Sequence, residues 1–201
     1  MGRNSSGVRG GIQPGDGNFK GSIGKIYSLK TIKEPKVYRA TANAISRYHS
    51  VLGVRQREVK LADMPDNTYG VHLTQAGQSK SIYLNKKHFD KSYKEIESAH
   101  RKGYDSGWST RTNKPIAHTV THELAHATWN QHMTGVKQRA AGKEINVLFN
   151  TWKKDKTKSG YGRYAATNVS EFWAETSTKA VHGVADKYTK AVKSIIKRYK
   201  L

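Results

Sequence analysis

One short segment constrains the fold of this chain more than any other. Residues 119–130 read TVTHELAHATWN, so His122 and His126 stand four positions apart and Glu123 follows the first of them. On an α-helix this spacing separates the two imidazoles by about 40° around the axis and about 6 Å along it, so both can bind one ion. Glu123 lies about 100° round from His122, where its carboxylate reaches a water on the ion rather than the ion itself. The HExxH spacing predicts a helix that carries two zinc ligands and one general base.

The residues around this motif favour a metal site over a chance match or a pair of core histidines. The neighbouring side chains are uncharged, as a buried active-site helix requires: Val120, Thr121, Leu124, Ala125 and Ala127. The chain contains no cysteine, so a metal must be bound by histidine and carboxylate groups. Zinc (Zn2+) is the expected cofactor, and a catalytic zinc needs a third protein ligand beside one position left for water.

Three residues compete for the place of the third ligand. His132 follows His126 by six residues and could bind the same ion only if the chain turned after His126. Such a turn needs a glycine at position 129, where the chain has Trp129. On a continuing helix, His132 faces about 240° away from His126. Glu144 lies 18 residues after His126, and the alternative to a ligand is that it is an ordinary surface glutamate. The third candidate is Glu171.

Glu171 belongs to a pair of carboxylates. Glu171 and Glu175 are four residues apart on one predicted helix, and Phe172, Trp173 and Ala174 between them indicate burial rather than a solvated face. The chain has 36 Lys and Arg against 15 Asp and Glu, and two carboxylates that face the same way in such a chain suggest a bound cation. We expect Glu171 to bind zinc and Glu175 to accept the second ring N–H of a ligand histidine, which fixes the tautomer of that histidine.

The two segments together resemble a known family. THELAHATWN followed by YAATNVSEFWAE is similar to the catalytic domain of the anthrax lethal factor type of zincin, a gluzincin, and to related domains in phage and mobile-element proteins. In that family a tyrosine precedes the ligand glutamate by seven residues and is followed by a Thr-Asn pair. Tyr164, Thr167 and Asn168 match this order and spacing. The resemblance covers about residues 115–180.

The resemblance implies a zinc metallopeptidase that cleaves a peptide or protein substrate. Zinc would lower the pKa of its water to about 7, and Glu123 would take the proton and later give it to the leaving amine. Zinc and the Tyr164 hydroxyl would stabilise the tetrahedral oxyanion, although Tyr161 offers a second phenol nearby. The substrate is expected to lie extended along an edge strand, for which 69–74 and 81–84 are the candidates.

The charge of the chain supports two other functions. It contains 36 Lys and Arg against 15 Asp and Glu, a formal net charge of +21. Such a charge attracts polyanions, whether nucleic acid or acidic protein, without a specific site. The first alternative is therefore a basic virion component that binds nucleic acid and carries a zincin fold without turnover. The second is a toxin-like proteolytic effector. Intact Glu123 and Tyr164 favour catalysis.

No apolar run is long enough to span a bilayer, and the first twenty residues lack the apolar stretch of a secretory signal. We therefore expect no membrane partner and a protein made in the cytoplasm, with association with a virion as an alternative location.

The order of predicted elements indicates an α+β fold. Residues 1–33 are rich in Gly and Ser, which predicts a flexible basic tail before a single domain at 34–201. Hydrophobic periodicity predicts helices and short strands in this domain. The helices are expected at 35–52, 90–102, from Pro115, and at about 136–156, 168–182 and 185–200; the strands at 59–64, 69–74 and 81–84. A zincin-like arrangement would pack this small sheet against the HExxH helix, with further helices after it.

Overall fold

The computed structural model describes residues 23–54, 58–66, 68–75, 78–132 and 136–201, leaving aside the side chains of 72–80 and 130–138. Within these ranges, seven α-helices and a small mixed sheet of four strands form an α+β fold, as predicted. No helix in this part of the chain combines the length and the apolar character that crossing a bilayer requires.

The structure confirms the predicted helices and strands and shifts some of their ends by a few residues. The helices are α1 (Pro35–Leu52), α2 (Lys86–Phe89), α3 (Tyr93–Asp105), α4 (Pro115–His132), α5 (Val136–Lys154), α6 (Val169–Val181) and α7 (Lys187–Tyr199). The strands are β1 (Ile26–Tyr27), β2 (Glu58–Ala62), β3 (Gly70–Gln75) and β4 (Gln78–Asn85). The short helix α2 and a 3-10 turn at Arg163–Ala166 were not predicted, because neither is long enough to show a hydrophobic period.

The order of the strands decides which of them can bind a peptide. The sheet runs β1-β2-β4-β3; β2 and β4 are parallel, and the other two pairs are antiparallel. Both backbone edges of β4 are therefore occupied, so the expectation that 81–84 could serve as an edge strand is wrong. The other candidate, 69–74, falls on β3, which ends the sheet in the described part of the chain.

The folded domain begins earlier than the predicted boundary. Tyr27 pairs with β2 as part of β1, and its hydroxyl donates a 2.9 Å hydrogen bond to Asp63. Ile32 is buried in the core. These two anchors hold 23–33 on the domain, although the composition of that segment predicts a tail. Residues 1–22 of the predicted tail lie outside the described residues.

Helix α4 lies at the centre of the domain. It packs against α6, α1 and α3 and against the strands β3 and β4. All side chains from His118 to Thr128 are buried, so this helix has no solvent face in that stretch. The Trp173 indole N–H donates a 2.9 Å hydrogen bond to the Ala125 carbonyl and fixes α6 against α4. Polar side chains on this part of α4 must therefore find their partners inside the protein.

Asn85 fixes the start of β3. Its side chain is fully buried, and its amide N–H groups donate to the carbonyls of Met64, Pro65 and Thr68 at 3.3, 3.0 and 2.7 Å. These bonds hold the turn that leads into β3. Because β3 packs on α4, the same turn sets the position of the strand beside the HExxH motif.

Candidate metal centre

Helix α4 presents its two motif histidines to one point. His122 and His126 are both completely buried, and their Nε2 atoms lie 2.9 Å apart. The helical spacing alone explains this convergence, since residues four apart share one face of a helix. Two ring nitrogens at this distance in a buried place need a shared proton or a shared cation between them.

Helix α6 brings Glu171 to the same point. The Asn168 side chain caps this helix by accepting a 2.9 Å hydrogen bond from the Glu171 N–H, which places Glu171 in the first turn. Its Oε2 lies 3.1 Å from His122 Nε2 and 3.2 Å from His126 Nε2. The cap gives a structural reason for the asparagine of the Thr-Asn pair, whereas the Thr167 hydroxyl donates to the Tyr164 carbonyl at 2.8 Å.

The three converging atoms form a donor set suited to a metal ion. Ligand atoms at about 2.0–2.1 Å from a tetrahedral zinc lie roughly 3.3 Å from one another, slightly more than the separations of 2.9–3.2 Å found between His122, His126 and Glu171. These residues are therefore within a few tenths of an ångström of the arrangement that such an ion requires. Two imidazoles and one carboxylate are also the ligand chemistry typical of catalytic zinc.

The charges of the cluster stabilise one another. Burial alone would raise the pKa of Glu171, but the adjacent His126 and His122 lower it to about 2. Burial alone would lower the pKa of His122, but its hydrogen bonds to Glu171 and Glu175 raise it to about 10. The site thus holds ionised carboxylates in the protein interior and favours positive charge between them.

The second nitrogen of each ring is also held in place. His122 Nδ1 lies 2.8 Å from Oε1 of Glu175, and His126 Nδ1 lies 3.0 Å from Oγ of Ser170. Each contact turns the Nε2 atom of its ring toward the shared point. Ser170 was not predicted, because a serine beside Glu171 is not distinctive in the sequence.

Glu175 has a second histidine partner that the sequence analysis did not identify. His118 Nε2 lies 3.2 Å from the same oxygen, Oε1, and all three side chains are buried. Burial alone would raise the pKa of Glu175, but the proximity and hydrogen bonds of His118 and His122 bring it well below its usual value. A signal was present in the sequence, since His118, His122 and His126 follow one another at intervals of four residues.

Glu123 lies between α4 and the end strand of the sheet. Its side chain is completely buried. A Cβ atom at Gly70 of β3 would lie 2.7 Å from Cγ and 2.9 Å from Cδ of Glu123, so only glycine admits the carboxylate here. The backbone of β3 therefore passes directly beside this carboxylate.

Tyr164 is positioned by a backbone contact between two loops. Its N–H donates to the Trp108 carbonyl at 2.9 Å, and Gly162 approaches so closely that a Cβ there would lie 2.3 Å from that carbonyl oxygen. The ring of Tyr164 stacks on His122 with centroids 6.0 Å apart. Burial, then the negative charge and hydrogen bond of Glu171, raise the pKa of Tyr164 well above its usual value. The phenol keeps its proton and can donate it in a hydrogen bond.

The structure distinguishes Tyr164 from the other predicted phenol. The ring of Tyr161 packs on Trp152 and Phe172, with centroids 5.2 and 6.5 Å apart. Lys179 Nζ covers the Tyr161 ring at 3.6 Å from its centroid. Tyr161 is thus a partly buried residue that packs against the core on the α5–α6 side, whereas Tyr164 lies beside the histidines.

The two other candidates for the third ligand were Glu144 and His132. Glu144 lies on α5 and accepts hydrogen bonds from Arg198 at 2.8 and 2.9 Å, on the surface of the α5–α7 pair, as expected for a surface glutamate. The backbone of α4 remains helical through His132, but the side chain of His132 lies outside the described residues.

Comparisons of the chain with models of protein families, with curated proteins and with solved structures find no match. The function of the chain is therefore argued from the chemistry of the cluster itself: two histidines and a glutamate that converge, beside a buried carboxylate and a buried phenol.

The contact between Gly70 and Glu123 can be tested by a double-mutant cycle in the presence of a chelator. Gly70→Ala should lower the free energy of unfolding by about 1–3 kcal/mol, because the added methyl overlaps the Glu123 side chain. In a Glu123→Ala background the same change should cost less, since the overlapped atoms are gone. Urea unfolding of the four proteins measures both costs.

Gly24→Ala is the matched control for this cycle, because a Cβ at Gly24 meets Asp63 rather than Glu123. Its cost should be the same in both backgrounds. Equal costs for Gly70→Ala in both backgrounds would contradict the described contact.

Proposed function

We propose that the protein is a zinc-dependent endopeptidase with a zincin-like arrangement of its sheet and its HExxH helix. The observation that carries this proposal is the convergence of three buried ligand atoms, from His122, His126 and Glu171, next to the buried carboxylate of Glu123. A purely structural metal site would need neither this carboxylate nor the nearby phenol of Tyr164.

In this proposal His122 and His126 hold the zinc ion through Nε2, and Glu171 holds it through a carboxylate oxygen. When bound, zinc supplies a Lewis acid that makes water acidic near neutral pH and polarises a peptide carbonyl. Three protein ligands leave a further coordination position free, which distinguishes a catalytic from a structural site.

Glu123 acts as the general base in this mechanism. It accepts a proton from the attacking water and then donates that proton to the nitrogen of the leaving amine. Tyr164 acts as a hydrogen-bond donor to the oxygen on which negative charge develops. The raised pKa of its phenol supports this role, because the hydroxyl remains protonated at neutral pH.

An extended peptide would bind along β3. This strand ends the sheet within the described residues, and its Gly70 backbone lies against Glu123. A substrate strand added there would gain backbone hydrogen bonds and bring one of its peptide bonds close to the general base. The excess of basic residues would favour acidic residues in the substrate.

The metal ligands can be tested without a substrate. The wild-type protein, reconstituted with zinc and dialysed, should retain one ion per chain, as measured by elemental analysis. Glu171→Ala should lose this ion, because only two histidine ligands remain. Glu144→Ala is the matched control and should retain it, since Glu144 bonds to Arg198 on the surface. Failure of the wild type to retain zinc would refute the metal site.

The general base can be tested by cleavage of a peptide library. Glu123→Gln should retain zinc but lose about 10²–10⁴-fold in cleavage rate, the usual contribution of general acid–base catalysis. Mass spectrometry of the library after incubation with the wild type and the variant measures the rates, with Glu144→Gln as the control for a neutralised glutamate. Turnover of Glu123→Gln at the wild-type rate would refute its role.

We further propose that the protein binds nucleic acid through α7. Lys190, Lys193 and Lys197 are exposed on α7 and form one stripe along it, and the exposed Lys200 follows directly after the end of the helix. Within the described residues none of the four has a carboxylate at ion-pair distance, in contrast to Lys187, which pairs with Asp155. Such a stripe can follow the phosphates of a DNA backbone.

The salt dependence of DNA binding tests this stripe. Changing Lys190, Lys193, Lys197 and Lys200 to Gln should reduce the slope of log K against log salt by about 3–4, because each lost phosphate contact removes about 0.9. The control changes four exposed lysines elsewhere and so removes the same charge: Lys25, Lys30, Lys94 and Lys102. Equal slopes for the two variants would show that only net charge matters and would refute the stripe.

A further inference from the structure

One of the buried histidines outside the proposed metal site touches a group that contacts a proposed ligand. His118 is on α4, one turn before His122, and only 6% of its surface is exposed. Its Nε2 atom lies 3.2 Å from Oε1 of Glu175, and the same oxygen lies 2.8 Å from Nδ1 of His122. One carboxylate oxygen thus connects two histidines of the same helix.

The chemistry of these groups sets the direction of the hydrogen bond. An ionised carboxylate can only accept, so His118 donates through its Nε2–H. Nδ1 of His122 lies 2.8 Å from the same oxygen, at ion-pair distance, and the negative charge there favours a proton on that nitrogen. When the ring is neutral, as metal binding requires, a proton on Nδ1 of His122 leaves the lone pair of Nε2 directed at the shared point of the cluster. The tautomer of His122 therefore depends on where the Glu175 oxygen is held.

His118 is what holds that oxygen from the other side. Glu175 is almost completely buried, with 2% of its surface exposed, so water cannot easily replace a lost partner. Without the His118 donor, its carboxylate would keep only His122 on Oε1 and could turn about its terminal bond. Such a turn would change the orientation of the His122 ring.

We propose that His118 is a positioning residue of the metal centre, which raises metal affinity by fixing the Glu175 carboxylate that orients His122. This role rests on the proposed metal site. His118 itself does not contact the point shared by His122, His126 and Glu171. The order of contacts runs from His118 to Glu175, from Glu175 to His122, and from His122 to the metal.

The atoms of His118, His122 and Glu175 are also close enough to hold an ion of their own. A second ion there would require His122 to use both ring nitrogens as ligands and to lose both ring protons. Without a second ion, the neutral ring of His122 can keep its proton on Nδ1. We therefore assign the 3.2 Å contact of His118 as a hydrogen bond and the 2.8 Å contact of His122 as a close polar contact with the same oxygen, and metal stoichiometry distinguishes the two cases.

Metal affinity of the full chain tests the role of His118. The metal-free protein is titrated with Zn2+ against a chelating indicator, and with Co2+ while its visible absorption is recorded. His118→Leu should bind one ion about tenfold more weakly and should alter the Co2+ spectrum. A tenfold loss is at the lower end of the losses in metal affinity seen when residues that orient a metal ligand are changed. His118→Gln should restore most of the affinity, because its amide N–H can donate to the same oxygen.

His100→Leu is the matched control. His100 is equally buried, but it packs against Tyr69 and Tyr104 and its hydrogen-bond partner is Tyr104. This variant should keep wild-type metal affinity and the wild-type Co2+ spectrum even if its unfolding free energy falls. A loss of affinity equal to that of His118→Leu would mean that general destabilisation, not positioning, is measured, and would overturn the proposal.

Two further results would overturn the role of His118. Wild-type affinity in His118→Leu would show that the hydrogen bond does not matter for the metal. Two ions in the wild type and one in His118→Leu would make His118 a ligand. A wild type that binds no ion would instead refute the metal site itself, and with it any role for His118 there.

A measurement on the wild type covers the case in which His118→Leu does not fold. Long-range 1H–15N spectra of the zinc-loaded protein report which nitrogen of each imidazole carries the proton. The proposal expects His122 to be protonated at Nδ1 and His118 at Nε2. A His118 ring protonated only at Nδ1 would overturn it, because that ring could not donate to Glu175.

Discussion

The packing of α6 on the fully buried part of α4 is the constraint on which the rest of the structure depends. From His118 to Thr128 every side chain of α4 is buried, yet this stretch carries three histidines and a glutamate. Buried groups of this kind are costly unless they are paired. Glu171 and Glu175 of α6 supply the partners, so the two helices can pack only in the arrangement that brings these carboxylates to the imidazoles.

Other parts of the fold follow from this arrangement. Asn168 starts α6 at the residue that places Glu171 in its first turn, and the Trp173 indole bonds to the backbone of α4. The loop before α6 passes close to the backbone at Trp108, where only Gly162 fits, and this contact delivers Tyr164 to the cluster. A chain with 36 basic and 15 acidic residues places three of its glutamates at this one buried point. This concentration of carboxylates is the strongest reason to expect a cation there.

Much of the local structure was readable from the sequence. Pro35 begins α1, Gly53 ends it, and Pro115 begins α4. Hydrophobic periodicity predicted the later helices. These signals could be found in the sequence because each acts over only a few residues. The convergence of His122 and His126 was equally local. The early start of the domain was less visible, since Tyr27 and Ile32 stabilise 23–33 by contacts with distant residues that composition does not reveal.

The sequence by itself determined which groups share a helix face: the two imidazoles on α4 and the glutamate pair on α6. It also determined that Glu123 lies on α4 next to the imidazoles. Only the tertiary structure decided which face meets which. Among the described residues it made β3, and not β4, an end strand of the sheet, and it placed Tyr164, not Tyr161, beside His122. It also joined His118 to Glu175. The physical reason is that helical spacing fixes directions within one turn, whereas contacts between residues some fifty positions apart depend on how whole elements pack.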